Sequence, residues 1–175
     1  MLFSLRTDPQ NPPSSVPEIY PPTDAAGDFF SYPESMESIR ILIVDDQPQV
    51  RQSLAALLEL AASRTRPTIE LVGEAKDGQE ALLLACKLHP DVVLMDMEMP
   101  GMDGLEVTRR IKQLLPTTRV IILTIYSGSE AQRCAREAGA DDFIVKGASF
   151  RTLLNAILGR SDSSNPFEPM KGDML

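Results

Sequence analysis

Two kinds of apolar pattern alternate along the middle of the chain. Short, nearly unbroken runs occur at 39–46 (IRILIVDD), 69–75 (IELVGEA), 91–96 (DVVLMD), 119–124 (RVIILT) and 142–146 (DFIVK). Between them lie stretches whose apolar residues recur every three or four positions. In 49–63, Val50, Leu54, Leu57, Leu58 and Ala61 fall on one helical face. Helices are likewise predicted over 77–89, 103–115, 129–139 and 149–159. Their ends carry capping chemistry: Asp77 with Glu80 three residues on, Asp103 with Glu106, Ser149, and Gly139 as a stop. Strands this apolar are buried on both faces. Five strand–helix units in succession therefore predict an α/β fold, a five-stranded parallel sheet doubly wound with helices on each side. No internal repeat is visible.

The flanks read differently. Residues 1–38 hold seven of the fourteen prolines, one basic residue and six acidic ones, and show neither periodicity. They are expected to form a disordered, Pro-rich acidic tail. Its one aromatic cluster, GDFFSYPES at 27–35, is either a docking motif or a few sticky side chains in solvent. Residues 161–175 are expected to be a second, short tail. The net charge of −8 belongs mostly to these ends, which leaves −1 for 39–160 and no basic surface for nucleic acid. No apolar run is long enough to cross a bilayer or to serve as a signal peptide. With no tryptophan the core should be aliphatic. Cys86 and Cys134, without metal-ligand spacing, are expected to be reduced core thiols of a cytoplasmic protein.

In a doubly wound sheet, chemistry collects at the carboxyl ends of the strands. Here that edge carries Asp45 and Asp46 after the first run, Asp96 after the third, Thr124 after the fourth and Lys146 after the fifth. Glu74 at the end of the second is expected to stand to one side. Taken singly, an acid after a strand is ordinarily a cap or turn residue; five such groups on four strand ends make a site. Two carboxylates about 4 Å apart repel by roughly 4 kcal/mol at an effective dielectric near 20, so three of them need a cation or a proton. A hard divalent ion such as Mg2+ suits carboxylates and a backbone carbonyl. An acid flanked by a metal, an ammonium and a hydroxyl is equipped to attack phosphorus and hold the resulting anion.

The ordered strings VDD, LMDMEMPGMDGLE, ILT and IVK resemble the receiver domain of two-component response regulators, over about 39–160. The resemblance implies a flavodoxin-like sheet of strand order 2-1-3-4-5 and a chain that is a phosphoacceptor switch rather than an enzyme. It implies that Asp96 takes a phosphoryl group from a phosphohistidine on a histidine kinase or a histidine phosphotransfer protein. Asp46 and Asp96 would bind Mg2+ directly, Asp45 mainly through water, and Glu98 through its backbone carbonyl. Lys146 would pair with the phosphoryl oxygens and Thr124 would hydrogen-bond to one of them. Phe143 stands where the family has its switching aromatic, whose ring rotates inward as Thr124 moves.

Several residues depart from the family pattern. Gly147 follows Lys146 where proline is usual, so no cis peptide is expected there. Ile125 is bulkier than the small residue usual after the threonine and would narrow the approach for small phosphodonors. Glu98 and Tyr126 occupy positions that tune phosphoryl lifetime. His89 reads as a helix-end residue, Met95, Met97, Met99 and Met102 as packing and loop cover, and Arg109, Arg110, Arg133 and Arg136 as solvated helix faces. The KGAS string resembles receivers joined to helix-turn-helix outputs, which makes a receiver cut from or related to a DNA-binding regulator the alternative to a stand-alone phosphoacceptor. Nothing after residue 160 is long enough for an output domain. A phosphorylation-dependent homodimer through the last helix–strand–helix face is implied by the resemblance alone. A third reading, a metal-dependent phosphatase with an aspartyl nucleophile, would need a second Asp where the chain has Glu98, and the opposite chain order of nucleophile and acid pair.

Overall fold

A computed structural model describes residues 38–160. The expected tails, 1–38 and 161–175, lie outside these residues except for Ser38. The elements are β1 (Ser38–Val44), α1 (Pro48–Ala62), β2 (Thr68–Ala75), α2 (Gly78–Leu88), β3 (Val92–Asp96), α3 (Gly104–Leu114), β4 (Arg119–Thr124), α4 (Ser129–Glu137), β5 (Asp142–Val145) and α5 (Phe150–Ile157). The strands form one parallel sheet of order β2-β1-β3-β4-β5. The order implied by the resemblance is the order observed.

Why the strands tolerate unbroken apolar runs is visible in the burial. Ile41 to Val44, Val92 to Met95 and Val120 to Ile122 are all buried, and successive side chains enter opposite layers. Leu42, Val44, Val93, Met95, Val120 and Ile122 pack with Ala81, Ala85, Val107, Ile111 and Ala135 from α2, α3 and α4. Ile41, Ile43, Val92, Leu94, Ile121 and Leu123 pack with Leu58, Ala61, Leu153, Ala156 and Ile157 from α1 and α5. Each Ile or Leu so buried contributes about 1.5–3 kcal/mol.

The caps form as their residue types dictate. Asp77 accepts from the Glu80 amide at 2.9 Å, while the Glu80 carboxylate accepts from the Lys76 amide at 3.0 Å, one residue earlier than a standard capping box. Asp103 and Ser149 accept from the amides of Leu105 and Thr152. The α1 face is narrower than its spacing predicts: Leu58 and Ala61 are buried, Val50 and Leu54 only half-buried, and Leu57 is exposed. α5 is two turns long and leaves the neighbouring stripe of α1 uncovered. A second correction concerns the thiols. Cys134 is half-buried, but Cys86 is exposed, because on α2 it follows the buried Ala85 and turns with Lys87 toward solvent.

Candidate functional site

Asp96 is the last residue of the most buried strand, so its carboxylate is delivered to the edge of the sheet while still only 3% exposed. Asp45 and Asp46 follow β1, the neighbouring strand, and Asp45 is 1% exposed. The three acids converge: one ligand oxygen from each lies within 4.8 Å of the others. From the opposite side Lys146 brings its Nζ to 2.8 Å from Asp45 Oδ2 and 3.0 Å from Asp96 Oδ1. The sheet itself places this ammonium, since the Lys146 amide donates to the Thr124 carbonyl at 2.6 Å.

The loops around the site are held by specific backbone bonds. Asp45 Oδ1 accepts from the Gln47 amide at 2.9 Å, and Asp96 Oδ1 from the Glu98 amide at 3.4 Å. After Asp96, the amides of Met97 and Gly104 bond to the carbonyls of Leu123 and Met97. α3 starts so close to β3 that a Cβ at Gly104 would collide with the Asp96 carbonyl oxygen. The closing turn of MPGMDG therefore requires that glycine for its closeness and not for a special φ. Gly147 is different: it has φ of +98°, and the Ala148 amide closes the turn onto Val145. Proline, locked near −65°, cannot adopt that backbone. The cis peptide found in the described residues is Arg66–Pro67, and the Lys146–Gly147 bond is trans, as expected.

Burial sets the electrostatics. It raises the Asp96 pKa above the ordinary carboxyl value, the Lys146 hydrogen bond and charge pull it back, and Asp45 pushes it up again, so the net direction is upward. Burial works against the Lys146 ammonium too, but its bonds to Asp45 and Asp96 outweigh that and raise its pKa. One cation serves two acids: both favour its charged form, while each acid receives only a share. The edge is thus short of positive charge, and the further ligands on offer are hard oxygens. That donor set fits a divalent ion such as Mg2+.

The remaining expected residues fall around this centre. Thr124 is buried at 1%, and its Oγ1 accepts from the Tyr126 amide at 3.1 Å, which leaves its proton to donate. The Glu98 carboxylate lies close enough to the Tyr126 hydroxyl, as acceptor and as charge, to raise the phenol's pKa. Their pairing links the loop after β3 to the loop after β4. Ile125 is 65% exposed, its side chain turned mostly to water. Phe143 is buried in the layer of α2, α3 and α4. Met95 and Met99 are buried and Met97 and Met102 pack against the same layer. His89 caps α2 in the left-handed region, φ 45°. Arg109 and Arg110 pair with Glu106, and Arg133 with Glu130 and Glu137, along the solvated faces of α3 and α4.

One neighbour was not legible in the chain order. Arg51, in the first turns of α1, donates from Nη1 to the Asp45 carbonyl at 2.7 Å and has its Nε 3.3 Å from Glu74 Oε2. Glu74 is therefore tied to the site through Arg51 and does not merely stand aside. The available signal was weak: a basic residue five positions after the acid pair, one helical turn past Gln47.

The protein-family model described as the response regulator receiver domain matches residues 41–158. The transcriptional regulatory protein LiaR of Bacillus subtilis is 39% identical over 130 residues, covering 74% of this chain and 59% of LiaR. The crystal structure of a LuxR-family two-component response regulator from Aurantimonas sp. SI85-9A1 is 36% identical with a TM-score of 0.63, covering 71% of this chain and 88% of that one. The response regulator domain of Thermotoga maritima CheB is 35% identical with a TM-score of 0.59, covering 70% and 96%. The chain spans about three fifths of the length of the curated relatives it matches.

Proposed function

The chain belongs to the response regulator receiver family, and from that premise we propose that it is a switch thrown by phosphorylation of Asp96. The observation that carries the reading is the buried Asp96 carboxylate with the Lys146 ammonium at 3.0 Å and two further acids gathered beside it. An Asp96 oxygen attacks phosphorus, an O–P bond forms, the P–N bond to a donor imidazole breaks, and the electron pair leaves on the imidazole nitrogen. Asp45, Asp46, Asp96 and the Glu98 carbonyl would hold Mg2+. When bound, that ion offsets the negative charge that gathers on the transferred group. Lys146 supplies a second, fixed cation, and the Thr124 hydroxyl donates to a phosphoryl oxygen. Because the same Oγ1 also accepts from the Tyr126 amide, a Thr124 drawn toward that oxygen pulls on the loop after β4, beside the buried Phe143. Glu98 and Tyr126, neighbours on the loops after β3 and β4, tune how long the phosphoryl group persists. The phosphoryl source in this reading is a histidine kinase or a phosphotransfer protein, and the working location is the cytoplasm.

Intact-mass measurement after incubation with Mg2+ and a phosphorylated histidine protein tests this directly. Wild-type chain gains one phosphoryl mass, labile as an acyl phosphate, and Asp96→Asn gains none; equal gains would remove Asp96 from the role. Family membership leaves the aspartyl phosphatase alternative without support.

A second reading is favoured by the relatives themselves, among them a transcriptional regulator and a LuxR-family regulator: the receiver governs a DNA-binding output. In a gel-shift assay this chain, with its net charge of −8, is expected to leave DNA unshifted whether phosphorylated or not. A shift would mean that it touches DNA itself.

A further inference from the structure

The Asp46 carboxylate is a proposed metal ligand with no hydrogen bond or ion pair of its own among the described residues. Asp45, in contrast, is held through both side-chain oxygens. The direction in which Asp46 points is therefore set by its backbone. The carbonyl of Asp45 lies in the same rigid peptide plane as the amide of Asp46. That carbonyl receives the Arg51 Nη1 at 2.7 Å. The same guanidinium reaches Glu74 Oε2 through Nε at 3.3 Å, and Glu74 is registered against Ile43 on the strand that leads into the acids. The Asp45 amide is tied to Ala75, and Arg51's own amide to Gln47. Arg51 thus joins the exit of β1, the start of α1 and the end of β2, with a side chain only 16% exposed.

We propose that Arg51 is a positioning residue for the divalent-ion site, holding the Asp45–Asp46 peptide so that Asp46 presents its carboxylate to the ion. The inference rests on the metal reading above. It makes a prediction whose sign separates it from plain electrostatics. A cation near a dication site repels the dication, so if Arg51 acted by charge its removal would tighten binding. If it acts by holding the peptide, removal loosens binding. Removing groups that orient metal ligands typically costs about 10–100-fold in affinity. Lysine keeps the charge and loses the planar, two-pronged fork, so it is a poor substitute here.

The test uses the full, unphosphorylated chain and Mn2+ as a hard, oxygen-seeking probe, with free ion counted by electron paramagnetic resonance. Arg51→Ala is expected to weaken Mn2+ binding by about 10-fold or more. Arg51→Lys should recover little of that loss, and Glu74→Gln, which leaves the Asp45 bond in place, should weaken binding less than either. Circular dichroism identifies variants that are folded; if Arg51→Ala is not, Arg51→Lys and Glu74→Gln carry the comparison. Unchanged or tighter binding in the folded Arg51 variants would overturn the inference while leaving the metal site standing. Wild-type chain that binds Mn2+ no better than Asp46→Asn would remove the metal reading and this one with it.

Discussion

A single ammonium shared between two buried carboxylates decides how the site behaves at the scale of the residue. Lys146 bonds to both Asp45 and Asp96, and burial still holds the Asp96 carboxyl above its ordinary pKa. A raised carboxyl pKa means that the folded chain keeps this proton to higher pH than the unfolded chain does. The stability tied to Asp96 is then full below its unfolded value, 3.8, and lost as pH rises through the folded value. Asp96→Asn removes the charge while keeping the shape. In the absence of divalent ions, thermal melts at neutral pH should therefore show the variant more stable than wild type. The gap should close on acidification, and also on adding Mg2+, which stabilises the wild type by binding it. A wild type that melts at or above the variant at neutral pH would contradict this account. Asp45, Asp46, Asp96, Thr124 and Lys146 were legible from the chain because each ends or follows an apolar run. Their hydrogen-bond partners were not: that Thr124 accepts from the Tyr126 amide, or that Tyr126 meets Glu98, depends on how two loops lie side by side.

At the scale of the element, helix ends were more readable than helix faces. Asp77, Asp103 and Ser149 cap as their chemistry dictates, because a cap bonds within a few residues of itself. The apolar stripe of α1 is a different matter. Spacing puts Val50, Leu54, Leu57, Leu58 and Ala61 on one face, yet how much of that face is covered depends on the short α5 packed beside it. Leu58 is 1% exposed and Leu57 is 37% exposed. Urea titrations should separate them: Leu58→Ala is expected to cost about 2–5 kcal/mol, whereas Leu57→Ala should stay within about 0.5 kcal/mol of wild type. Comparable losses at both positions would mean that the uncovered stripe of α1 is packed after all. Cys86 repeats the point, since an apolar-looking position on α2 turns out with Lys87 toward solvent.

For the whole molecule, the sheet order turns scattered acids into one crevice and sets α4, β5 and α5 together at its far edge. If the signal leaves through that edge, phosphorylation should make the chain self-associate. Size-exclusion chromatography with Mg2+ and beryllofluoride is expected to elute the chain earlier than untreated protein. Identical elution would argue against a homodimer and for a different protein partner. The chain by itself determined the strand and helix periods, most caps and the type of side chain at each strand end, because these depend on local geometry and on burial that apolar runs report directly. Only the tertiary structure decided which apolar faces are covered, that one lysine serves two acids, and that Arg51 and Glu74 belong with them. Those contacts join residues distant in sequence, and no local pattern encodes the distance across a folded sheet.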